Sequence, residues 1–275
     1  MTQSCVKTRT VRSEQIRSPT RETFAIFLRI IWRREIATPP RAQKPAPWLV
    51  RLIWTLVILL VLIGVAAATR RAVALTSPGA SGAGKNPAAA LDANFVPHRT
   101  ITFIHIVPGA LFMILGPLQF VVRLRNRWPR FHRWSGRLFM VLSLIVGLSA
   151  LAMSFTTSIG GANETAATTM FALIFLFDLT KGYTKILGRR FLEHREWMIR
   201  TFSIGLAVAT IRPIVGIFFA TRRLSPHEFF GIAFWIGFTL HLILAEVWIS
   251  YTRGIRQVLP TSVAKLEPAI SSHLP

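Results

Sequence analysis

The chain has 275 residues, of which 52% are hydrophobic, and its formal net charge is +22. The positive mean hydropathy and the grouping of apolar residues into long blocks exclude an ordinary soluble domain. Arginine and lysine lie beside these blocks, so the charge indicates membrane topology and contact with anionic lipid rather than nucleic-acid binding. The single cysteine excludes an internal disulfide.

The N-terminal segment, residues 1–47, is basic and punctuated by prolines. Phe24, Phe27, Leu28 and Ile31 recur at helical spacing, which predicts an amphipathic helix lying on the inner leaflet. A disordered arm is the alternative. In either case the expected partners of the segment are the bilayer and its anionic headgroups.

The apolar blocks predict six transmembrane helices, at about 48–69, 101–122, 137–158, 166–187, 198–220 and 229–250. Blocks of roughly 22 residues form about 33 Å of helix, enough to cross a bilayer. Residues 70–97 are predicted to be an irregular external loop, and residues 98–252 are predicted to form a core bundle of helices two to six. The pair Arg212-Pro213 predicts a break in the fifth span. The predicted fold class is an all-α polytopic integral membrane helix bundle.

Two arginine-rich stretches, at 123–137 and 188–200, are predicted to be loops on the cytoplasmic side of the membrane. With six spans, this orientation also places the N-terminal segment and the polar tail, residues 253–275, in the cytoplasm. The N-terminal stretch lacks the apolar run of a signal peptide, which favours direct insertion into a bacterial inner membrane.

Three histidine-containing motifs carry a family resemblance: HIVPG at 105–109, HRWSGR at 132–137 and HREWMIR at 194–200, the last followed by a helix ending in Arg-Pro. Over residues 98–250 the chain resembles a bacterial family of predicted membrane proteins, domain of unknown function 2306. The helix arrangement of that family is distantly similar to b-type membrane cytochromes. This resemblance implies a haem held by paired histidines.

The histidines of the two arginine-rich stretches are the best axial pair. Axial ligands approach the iron from opposite faces, so their depths in the bundle should match. His132 and His194 meet this condition at the inner ends of their spans, and Arg133 and Arg195 are candidate propionate contacts. His105, near the outer end, is a further candidate ligand whose partner stays open. Contact with lipid headgroups and loop carbonyls is the alternative role for these side chains.

A second group of polar residues lies within the apolar spans, where ionisable side chains are costly. Asp178, Arg212 and His241 have roughly similar predicted depths. We therefore expect Asp178 to face Arg212, with His241 orienting one of them. Such a buried cluster is either a structural staple or part of a proton relay or substrate cavity.

The leading functional hypothesis is a b-type electron-transfer protein, a membrane oxidoreductase component with haem b as its cofactor and haem iron as its metal. Its expected partner is a redox protein or quinone. One alternative is a cofactor-free transporter or channel that uses the buried cluster, and another is a membrane scaffold. The chain carries no phosphate loop, zinc-protease helix or nucleophile elbow, which argues against a hydrolase or kinase.

Overall fold

The computed structural model describes residues 45–77, 91–221 and 224–257, and every regular element in these ranges is an α-helix. The elements are α1 (Pro47–Thr76), α2 (Arg99–Phe120), α3 (Val122–Arg127), α4 (Pro129–Thr156), α5 (Gly161–Leu187), α6 (Phe191–Thr221) and α7 (Pro226–Gln257). The predicted all-α membrane class is confirmed. The predicted amphipathic helix at 24–31, the centre of the predicted external loop and the tail beyond 257 lie outside the described residues.

Five of the helices, α1, α2, α4, α6 and α7, are long and apolar enough to cross a membrane. The 27-residue α5 is less apolar, because it carries Asp178, Lys181 and several threonines. It packs against both α4 and α6, which gives Asp178 a protein environment. Six spans therefore stay our prediction for the topology.

The helices extend beyond the predicted spans. The first, α1, continues to Thr76, while α4 begins at Pro129 and α6 at Phe191, so most of the two stretches predicted as loops is helical. Helical backbone satisfies its own hydrogen bonds in water as well as in lipid, so a helix need not end where its apolar run ends. The predicted break at Arg212-Pro213 is wrong, because α6 is continuous through that proline.

The helices surround one core. The α4 helix packs on α2 and α5, and α5 packs on α6, while α1 bridges α2 and α6. Helices α4 and α6 therefore lie on opposite sides of a four-helix core made of α2, α4, α5 and α6. The last helix, α7, joins α5 through Phe238, whose ring stacks on Phe171 with centroids 4.8 Å apart.

An aromatic cluster fills the centre of this core. The Phe112 ring stacks on Phe139 at 4.8 Å and meets Phe202 and Phe175 at 5.8 and 5.9 Å between centroids. Gly205 permits this approach, because an added Cβ there would lie 2.7 Å from Phe112 Cζ. The cluster separates two polar regions. We name them the inner end, where α4 and α6 begin, and the outer end, where α1, α4 and α6 finish, after the predicted orientation.

Candidate functional site

The two histidines predicted as a pair lie at the inner end. His132 is in the first turn of α4 and His194 in the first turn of α6, and both are half-buried. They are close enough to interact electrostatically. The fold thus brings together two imidazoles from helices that face each other across the core.

Hydrogen bonding leaves each imidazole with an available ring nitrogen. His194 Nδ1 lies 2.7 Å from the carbonyl oxygen of Gly182 in α5. A carbonyl only accepts, so Nδ1 carries the proton and Nε2 of the neutral ring keeps its lone pair. His132 Nδ1 is buried and has no hydrogen-bond partner in the part of the chain that the structure describes. A main-chain carbonyl commonly orients a metal-binding histidine in the way that Gly182 orients His194.

Arginines surround the pair. Arg125 and Arg133 lie within electrostatic range of His132. Arg133 is exposed on α4, and Arg195, beside His194, is half-buried. Within the described ranges no group of three or more His, Cys, Asp or Glu side chains is arranged to hold a metal ion. The donor set at this end is therefore two imidazoles in a cationic surround.

His105 is separate from that pair, because it lies on the other side of the aromatic cluster. Its Nδ1 is 3.0 Å from Ser149 Oγ, and that hydroxyl donates to the Ile145 carbonyl at 2.6 Å. His105 Nδ1–H is therefore the donor to Ser149, and Nε2 is unprotonated. The imidazole lines a cavity of about 90 Å³, and no other described histidine lines that cavity.

Asp178 lies beside an ion pair that the sequence did not predict. The residue is 3% exposed, and Oδ2 has no hydrogen-bond partner among the described residues. It interacts electrostatically with Arg200 and Glu246. Those two side chains form a bidentate pair between α6 and α7, with Arg200 Nη2 3.0 Å from Glu246 Oε2. Asp178 thus faces the inner half of α6.

Arg212 and His241 lie elsewhere. Arg212 is exposed on α6 and interacts electrostatically with Arg70, Asp92 and Glu164 toward the outer end. His241 is held by hydroxyls of α6: Thr210 Oγ1 is 2.7 Å from its Nε2, and Ser203 Oγ donates to its carbonyl at 2.8 Å.

No hydrogen bond or ion pair joins the three predicted residues in the ranges that the structure describes. Asp178 and Arg212 do not meet because they lie at different distances from the outer end of the bundle. Because α5 begins at Gly161, Asp178 lies about 26 Å along its helix from the outer end, whereas Arg212 lies about 14 Å from the end of α6. The separation of about 12 Å exceeds the reach of an ion pair.

A second unpredicted cluster lies at the outer end, within the stretch predicted as an irregular loop. Asp92 accepts from Arg71 Nε at 2.9 Å and from Arg70 Nη1 at 2.8 Å. One feature of the sequence could have indicated this cluster. Asp92 is the only acid between residues 70 and 99, and that stretch begins with the neighbouring arginines Arg70 and Arg71.

Comparison of the sequence with known protein families gives one match. A family model described as "Predicted membrane protein (DUF2306)" matches residues 102–249, more than half of the chain. The match includes both inner histidines as well as Asp178, Arg212 and His241, and it leaves α1 outside. Neither a search of curated proteins nor a search of solved structures found a match. The chain belongs to the predicted membrane protein family DUF2306.

Proposed function

We propose that the protein is a b-type haem-binding electron-transfer protein of the bacterial inner membrane, with both termini in the cytoplasm. The observation that carries this proposal is the placement of His132 and His194 at one end of two helices on opposite sides of the core. From these positions the two imidazoles would hold a haem iron.

The residues present fit the group. His132 carries a buried, unpartnered ring nitrogen, and His194 has its proton fixed on Nδ1 by the Gly182 carbonyl. Two such imidazoles are the donor set of a bis-histidine haem b. About two turns deeper in the same helices, Phe139 and Phe202 present apolar rings 6.4 Å apart between centroids. Apolar surroundings of this kind limit water access and tune a redox centre.

Each residue has a defined part in this proposal. His132 and His194 would hold the iron, and Arg133 and Arg195 would bind the propionates through charge-assisted hydrogen bonds. When bound, haem supplies one-electron transfer at a potential set by its ligands and surroundings. The Gly182 carbonyl keeps His194 in one tautomer and orientation. His105, oriented by Ser149, is a further candidate ligand in the outer half, and a redox protein or quinone is the expected electron partner.

A reduced-minus-oxidised absorbance spectrum of the purified protein tests the proposal. The wild-type chain should show haem bands, and His132→Ala or His194→Ala should each remove most of the bound haem, because one of its two protein ligands is lost. His227→Ala, an exposed histidine at the outer end, is the matched control and should keep the spectrum. A colourless wild-type protein that takes up no added haemin contradicts the proposal.

A second candidate function is proton-coupled transport, and the burial of Asp178 favours it. The unpartnered carboxyl is next to Arg200–Glu246, the first contact in a row of polar contacts along the α6–α7 interface. The row continues through Ser203 and Thr210, both bound to His241. Ionisable side chains buried within transmembrane segments are typical of proton and substrate pathways.

Proton flux into proteoliposomes distinguishes this candidate. A pH-sensitive dye trapped inside the vesicles reports acidification after an external acid pulse. Asp178→Asn should lower the rate to that of protein-free vesicles, because the amide cannot exchange a proton, while the exposed control Glu228→Gln keeps the wild-type rate. If the wild type and Asp178→Asn acidify the vesicle interior at the same rate, Asp178 does not carry protons across the membrane.

A further inference from the structure

We propose a binding site for an oxyanion at the outer end of the bundle, centred on the guanidinium of Arg71. The ligand carries a phosphate or carboxylate group. The site is separate from the inner histidines and from Asp178, since the aromatic cluster lies between them and Arg71.

The Arg71 side chain is buried and only partly hydrogen-bonded. The residue is 8% exposed, its Nε donates to Asp92 at 2.9 Å, and its guanidinium carbon lies 3.8 Å from the centre of the Phe95 ring. These contacts fix the plane of the guanidinium. Nη1 is buried and has no hydrogen-bond partner in the described ranges. One donor of this fixed, buried cation thus lacks a partner among the described residues, and in this proposal the ligand accepts a hydrogen bond from it.

The positive charge here is not balanced by the neighbouring acids. Asp92 is shared, because Arg70 binds both of its carboxylate oxygens at 2.8 and 3.1 Å. Arg212 adds a third guanidinium within electrostatic range of Arg71. The other carboxylate near Arg212 is Glu164, which already accepts from the main-chain N–H groups of Ile159 and Gly160.

The sequence that follows α1 and α6 contains no further acid. Residues 77–90 include Lys85 and no Asp or Glu, and residues 222–225 include Arg222 and Arg223, again without an acid. Burial of a guanidinium is unfavourable unless its charge is balanced, and Arg71 shares its hydrogen-bonded carboxylate, Asp92, with Arg70, so an added anion would stabilise it. Guanidinium groups match phosphate and carboxylate oxygens better than they match halide ions, which identifies the class of ligand.

Two sources of this chemistry can reach Arg71. The residue lies in the last two turns of α1, about 8 Å from its end, which places it near the level of the lipid phosphates. A soluble phosphate or carboxylate can approach from the outer solution. The experiment therefore tests a lipid and soluble anions in separate titrations.

The test uses the full-length protein in detergent at constant ionic strength. The thermal unfolding midpoint is followed while phosphatidylglycerol, inorganic phosphate or succinate is added in separate titrations. Binding to the folded state raises the midpoint. In Arg71→Gln the half-saturating concentration should rise about tenfold or more, as expected when a charge-assisted hydrogen bond is lost. Arg253→Gln, which removes an exposed arginine at the inner end, should respond like the wild type.

Asp92→Asn is expected to change the affinity for the anion in the opposite direction. It removes the carboxylate that competes for Arg71 and Arg70, so the same ligand should bind several-fold more tightly. A response to phosphatidylglycerol alone identifies a lipid headgroup, and a response to phosphate or succinate alone identifies a soluble anion. The proposal is overturned if no probe shifts the midpoint, if Arg71→Gln responds like the wild type, or, should Arg71→Gln not fold, if Asp92→Asn binds no more tightly.

Discussion

Arg200→Met is expected to destabilise the folded protein by about 3 kcal/mol, at the low end for breaking a buried ion pair. The Arg200 side chain is 15% exposed and its partner Glu246 is 46% exposed, which places the effect at that end of the range. Arg200 also interacts electrostatically with Asp178. Its removal leaves two carboxylates facing each other without their nearest shared cation.

The measurement is reversible unfolding in mixed micelles, followed by tryptophan fluorescence. Adding Asp178→Asn to Arg200→Met should recover part of the lost stability, because one of the two repelling charges is removed. Arg190→Ala is the matched control, since Arg190 and Glu193 form an exposed pair 3.5 Å apart, and it should change the unfolding midpoint little. If the double variant is no more stable than Arg200→Met, Asp178 and Arg200 do not share the coupling described above.

Phe112→Ala is expected to destabilise the protein by about 3–5 kcal/mol, the usual effect of truncating a buried aromatic side chain. Phe112 is 1% exposed and contacts the rings of Phe139, Phe175 and Phe202. It also borders the cavity of about 90 Å³, which the truncation would enlarge. Lipid is as apolar as the core, so the loss comes chiefly from van der Waals contacts that nothing replaces.

Phe155→Ala is the matched control for this prediction. Phe155 is near the end of α4 and is 69% exposed, so its truncation removes few contacts within the protein. Both variants remove the same atoms, and the same unfolding experiment compares them. Equal destabilisation by the two substitutions would mean that the aromatic cluster does not hold the four-helix core together.

The existence and order of the helices were predictable, because the thickness of a bilayer imposes a length on every apolar block. Their ends were not. The α4 helix begins at Pro129 and α6 at Phe191, both within charged sequence that looked like loop. Hydropathy reports where lipid ends, whereas a helix ends where its backbone is capped or its chain must turn. Gly161 illustrates this, since its φ of +60° helps form the turn that leads into α5.

The candidate sites likewise include some contacts that the sequence predicted and others that it did not. The sequence matched His132 and His194 by depth, and each lies in the first turn of its helix at the same end of the bundle, within electrostatic range of the other. The predicted depths were wrong for Asp178 and Arg212, because α5 begins at Gly161, before its predicted span, and α6 ends at Thr221, just after its predicted span. The pairing of Arg200 with Glu246 joins residues 46 positions apart. Such a pairing depends on how each helix is rotated about its axis, which one sequence does not specify.

The first helix, α1, has some side chains against the protein core and others on the exterior of the bundle. Only Arg71 and Leu75 of α1 are buried, and most of its remaining surface presents leucine, isoleucine and valine side chains outward. Gly64 lets α1 pack closely on Met113, because an added Cβ there would lie 2.8 Å from Met113 Cε. Several other α1 side chains are partly buried against the core cluster: Val57, Leu60, Val61, Ile63 and Val65. Arg70 and Arg71 belong to α1, whereas the inner histidines belong to α4 and α6, so a change confined to α1 would alter the outer-end arginines and leave the inner histidines in place.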